Sequence, residues 1–161
     1  MSTQADYSPE EWESIVNAPV MAGTLVIVSD PAVFGSIKEA AAMVKIINEE
    51  AMSTSVELIK AVGEAIRSGH KVDKSAMPKK ETPEATMNTL VKMCHQAALI
   101  VKEKSPEEEE AFNQYLVEIA KTTAASSKEG GFLGIGAVRV SEAERAAVDQ
   151  LAEALGVAAG E

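Results

Sequence analysis

The stretch from Phe34 to Ser68, FGSIKEAAAMVKIINEEAMSTSVELIKAVGEAIRS, decides the fold class. Ile37, Ala41 and Val44, then Met52, Ile59, Val62 and Ile66, recur near the helical period. Alanine, glutamate and lysine, all good helix formers, fill much of the rest. Read as one element, this is the longest helix of the chain, roughly 50 Å at 1.5 Å per residue, unless Ser53-Thr54-Ser55 breaks it. Gly69 stands where a left-handed residue closes a helix.

Helix starts on either side of this stretch are marked by their caps. Ser8-Pro9-Glu10-Glu11 places a hydroxyl at N-cap, proline at the first helical position and glutamate at the third, a capping box with a pre-organised first turn. Ser105-Pro106-Glu107-Glu108 repeats it, Ser141-Glu142-Ala143-Glu144 repeats it without proline, and Thr82-Pro83-Glu84-Ala85 is a weaker copy. The glutamates also face the positive ends of the helix dipoles. These flanking acids favour caps over kinase sites at the Ser-Pro and Thr-Pro pairs.

The expected elements are a short helix from Pro9 to about Asn17 with Trp12 and Ile15-Val16 inward, and a short buried helix from Pro19 to Val28. The long helix over 34–68 follows, then helices begun by Pro83, Pro106 and Ser141. The β-branched run Leu25-Val26-Ile27-Val28 could form a buried strand, but no second strand offers to pair with it. Inward positions are Met87, Leu90, Cys94, Ala97 and Val101, then Phe112, Tyr115, Leu116, Ile119 and Thr123, then Ala147, Val148, Leu151 and Leu155. Between them lie a polar linker, residues 70–81, and a glycine-rich apolar loop, residues 126–140. The fold class is therefore all-α: residues 1–161 form a single-domain bundle of five or six helices with one long central helix.

Composition agrees. The 161 residues are 46% hydrophobic, 25% charged and 4% aromatic, too apolar for disorder and long enough for one core. The net charge of −10, from 25 acids and 15 bases, argues against nucleic acid held through its phosphates. Cys94 is the single cysteine, which excludes an intramolecular disulfide. The polar, acidic N-terminus has no signal-peptide pattern, and Val20 to Val28 is about half of the ~20 apolar residues a bilayer span needs. The expected location is cytoplasmic.

Sites of chemistry are sparse. A di-iron bundle uses Glu-x-x-His pairs, but Arg67 and Lys92 stand three residues before His70 and His95, so no metal is expected. Cys94 and His95, adjacent on a helix, point about 100° apart, and Cys94 lies on the apolar stripe as a small hydrophobe. The run Gly130-Gly131-Phe132-Leu133-Gly134-Ile135-Gly136 lacks the Gly-Lys-Ser/Thr of a phosphate loop. It reads as a core plug, or as an apolar tip meeting a partner or lipid. Arg67 to Lys80 carries five Lys or Arg and one Asp and reads most simply as a solvated basic linker, as Glu107 to Glu110 reads as a solvated first turn; together the two could pair between subunits.

Two segments carry a resemblance. Ser8-Pro9-Glu10-Glu11-Trp12 with Ala18-Pro19 and Ala22-Gly23 resembles the opening of a group of small uncharacterised bacterial proteins. Gly130 to Gly136 with Val138-Arg139-Val140-Ser141 is similar to their C-terminal segment, and Asp30-Pro31, Gly35 and Lys38-Glu39-Ala40 to the link between their second and third helices. The resemblance implies a small, mainly helical bacterial cytosolic protein and no activity.

The expectation is a non-enzymatic protein–protein interaction or self-association module, without catalytic residues, cofactor or metal, acting as a homo-oligomer or with a protein partner. Trp12, Phe132, Leu133, Ile135 and Arg139 are its candidate interaction residues. The alternatives are a bundle that binds an apolar small molecule in a cavity lined by Met and Ala, and membrane association through the glycine-rich loop.

Overall fold

The computed structural model describes residues 2–30, 37–72, 81–126 and 140–158. Among them are a 3₁₀ turn, Gln4–Asp6, and six helices: α1 Pro9–Ser29, α2 Ile37–Ser53, α3 Glu57–Arg67, α4 Pro83–Lys104, α5 Pro106–Ser126 and α6 Glu142–Leu155. They pack as an all-α bundle. Helices α1 and α5 each contact the other five. The hairpin of α2 and α3 leans on this pair, and so do the paired α4 and α6. Met21, Leu25, Ile47, Leu58, Leu90, Phe112, Leu116 and Leu151 are fully buried, so every helix contributes to one core.

The central place is not taken by a 35-residue helix, because the Phe34–Ser68 stretch breaks at its hydroxyl cluster. Ser53 Oγ turns back to the Glu50 carbonyl (2.9 Å), and Thr54 Oγ1 accepts the Val56 N–H (3.2 Å). These side-chain bonds compete with the helical ladder. The chain reverses there, and α3 folds against α2 where Gly63 meets Ala51. A Cβ on Gly63 would lie 2.5 Å from the Ala51 Cβ, so a missing side chain sets the spacing. The inward face of α2 also differs from the expected one. Met43, Ile46, Ile47 and Ala51 are buried, whereas Val44 and Met52 are 39% and 70% exposed.

The expected break at Ala18-Pro19 is absent. Pro19 lies inside one continuous helix of 21 residues. It has no N–H for the Ile15 carbonyl, and a proline in a helix interior costs about 3 kcal/mol. Burial of Ile15, Val16, Met21, Ala22, Leu25 and Val26 outweighs that cost. The expectation of an apolar stretch too short for a bilayer is revised with it. Among the described residues α1 is the one helix long and apolar enough to cross a membrane, with a mean hydropathy of 1.3 over 18 residues, 61% of them buried in the bundle. A helix that is apolar all round suits the middle of a bundle.

Three of the four expected N-caps form. Ser8 Oγ accepts from Glu11 N–H (3.2 Å) while Glu11 Oε2 accepts from Ser8 N–H (2.8 Å). Ser141 and Glu144 do the same at 3.2 and 2.9 Å, and Thr82 Oγ1 accepts from Ala85 N–H at 3.2 Å. Gly69 (φ +92°) and Gly156 (φ +67°) close α3 and α6 in the left-handed region, and the His70 and Val157 N–H groups reach back to Ala65 and Ala152.

The fourth cap, at Ser105, is dismantled. Its N–H already serves the Val101 carbonyl as the end of α4 (2.7 Å). Its hydroxyl bonds Tyr7 Oη (2.7 Å) and the Ser2 hydroxyl instead. Glu108, freed from Ser105, accepts the Leu58 N–H through Oε1 at 3.3 Å. Helix α3 starts at Val56 with no side-chain cap of its own, so α5 supplies it. Glu108 is therefore 8% exposed and not part of a solvated first turn.

Candidate functional site

Among the described residues, two clefts bear on function. The smaller, about 240 Å³, lies between α1 and α4 and is edged by Glu10, Glu13, Ser14, Asn17, Met93 and Gln96. Two of its polar side chains, Ser14 and Asn17, are committed to structure. Ser14 Oγ bonds the Glu10 carbonyl (3.0 Å), and the buried Asn17 Oδ1 pairs with His70 Nε2 (3.1 Å). The His70 contact was not legible in the sequence, because 53 residues separate the partners.

The larger cleft, about 440 Å³, lies beside α3. Ser2 and Thr3 form one edge and Met52 another, and Glu57, Lys60, Ala61, Glu64 and Arg67 make its α3 wall. Lys60 pairs with Glu57 (3.2 Å) and Arg67 with Glu64 (2.5 Å). The wall is thus a run of acids and bases of alternating sign next to the most exposed large apolar side chain of the described residues. The sequence pattern places Met52 inward, but it stands beside the buried stripe of α2 that Ile47 and Ala51 occupy.

The candidates named from sequence fall as follows. Trp12 is 6% exposed, its ring 6.0 Å from that of Tyr7 at 34°, a core residue within this chain. Phe132, Leu133, Ile135 and Arg139 lie outside the described residues, as do most of the glycine-rich loop and residues 73–80 of the basic linker. Cys94 is fully buried, and burial pushes its thiol up to about 12. Its Sγ–H donates to the Ala18 carbonyl (3.6 Å) while His95 is exposed, so the two neighbours face different surroundings. A thiol held protonated is a poor nucleophile. Tyr115 is raised as well, by burial and then by the Glu50 charge, and its hydroxyl donates to the Ile47 carbonyl (3.2 Å). No group of three metal-ligating side chains occurs among the described residues. Comparison with family models, curated proteins and solved structures finds no match to this chain.

Proposed function

We propose that this chain is a cytoplasmic helical interaction module that self-associates and carries no reaction of its own. The observation behind this reading is the cleft beside α3. It is open, it is walled by charges of both signs, and Met52 stands 70% exposed at its edge. A flexible thioether on the rim suits adaptable protein contact, and mixed charges suit a protein surface better than a phosphate or an anionic lipid face. The apolar-ligand alternative has less support, because acids and amides edge the 240 Å³ cleft, whereas small-molecule sites are mostly apolar and commonly larger. The resemblance to small bacterial helical proteins belongs to the same proposal. Size-exclusion chromatography with light scattering tests it. A dimer or larger species that grows with concentration is expected, and a monomer at the highest attainable concentration would overturn it.

A further inference from the structure

We infer that the outward face of α3 is a self-complementary seam on which a second copy of this chain docks antiparallel, across a twofold axis level with Val62. The inference rests on the self-association reading above and names its surface and partner. Glu57, Lys60, Glu64 and Arg67 are exposed, and with the half-buried Ala61 they form one stripe of the helix. When the stripe is reversed against itself about Val62, Glu57 falls opposite the second copy's Arg67 and Lys60 opposite its Glu64. Every facing pair joins acid to base. A parallel arrangement sets each charge against its own kind, so the charge order selects one orientation. Ala61, near the middle of the stripe, has the short side chain that lets two helices approach.

The intrahelical pairs, Lys60 with Glu57 and Arg67 with Glu64, keep the four charges on this face. Across the seam they join into one alternating network. Exposed pairs of this kind contribute about 0–1 kcal/mol each, so they set register and orientation rather than strength. Met52, on the rim of the same cleft, adds apolar area to bury. A helix of 11 residues is only about 16 Å long, so the seam is small beside the ~800 Å² per partner of a standard interface. The dimer is accordingly weak, dependent on concentration and loosened by salt.

Sedimentation velocity on the full chain tests this with two variants. Lys60→Glu/Arg67→Glu makes the stripe acidic throughout, and Glu57→Lys/Glu64→Lys makes it basic throughout. All four positions are exposed, so both variants keep the helical spectrum of the parent, as circular dichroism checks. Each variant alone is expected to associate at least about tenfold more weakly than the parent, and an equimolar mixture to recover the dimer. Variants that dimerise like the parent would overturn the seam and leave self-association standing on another surface. A mixture that stays monomeric would likewise overturn the seam. A monomeric parent would overturn both readings.

Discussion

Gly63→Ala adds one methyl group at the point where α2 and α3 touch. The new Cβ would lie 2.5 Å from the Ala51 Cβ, whereas carbon–carbon contacts settle at about 3.5–4 Å. The two helices must therefore part by roughly 1 Å, and Leu58, Ile59 and Val62 lose contact with the core as they do so. Overpacking of this kind costs about 1–3 kcal/mol. The substitution also improves helix propensity by about 1 kcal/mol, so the net expectation is a loss of up to about 2 kcal/mol. Ala51→Gly removes the opposing methyl. In the double variant Ala51→Gly/Gly63→Ala the small and large positions are exchanged, the propensity terms cancel, and most of the loss should return. Urea unfolding followed by far-ultraviolet circular dichroism, analysed as a double-mutant cycle, reads the coupling directly. A coupling of about 2 kcal/mol is expected. If the two effects simply added, steric contact at Ala51 would not be what sets the α2–α3 spacing.

Two further outcomes follow from buried polar groups. Glu108→Ala should cost about 1–3 kcal/mol, because the Leu58 N–H and the positive end of α3 lose their carboxylate, and hydrogen exchange in the first turn of α3 should rise selectively; unchanged exchange there would remove α5 as the source of the cap. Cys94 and Tyr115 both have folded-state values raised by burial, so they stabilise the fold fully below their unfolded values and lose that contribution as pH rises. Stability should decline above about pH 9, the ordinary value of the thiol, toward about 12. Cys94→Ala should flatten part of that decline in urea titrations, and an identical slope in both proteins would refute the assignment.

What the sequence disclosed was local. Ser8, Thr82 and Ser141 make their bonds within three residues, and a reading along the chain finds them. Ser105 has the same local pattern but meets Tyr7 and Ser2, 98 and 103 residues away in the chain, and those partners win. Pro19 marks a boundary by its own chemistry, yet the apolar residues on both sides of it are held by other helices. Met52 points outward because the buried stripe of α2 runs through Met43, Ile46, Ile47 and Ala51, one position off the stripe that Ile37, Ala41 and Val44 suggest. The candidate seam on α3 was hidden for a different reason. Glu57, Lys60, Glu64 and Arg67 look like ordinary surface charges until α3 is separated from α2 and its free side is known.

The capping of α3 by Glu108 also has a consequence for the order in which the bundle is made. Helix α3, with 11 residues, is shorter than the roughly 12–15 an isolated helix needs to hold in water. On the ribosome its residues emerge about fifty positions before the carboxylate that completes its first turn. Until α5 has been synthesised and docked, α3 stays frayed and its four charges lie in no fixed row. Under the proposed seam, the pairing of two copies therefore follows the docking of α5 rather than preceding it.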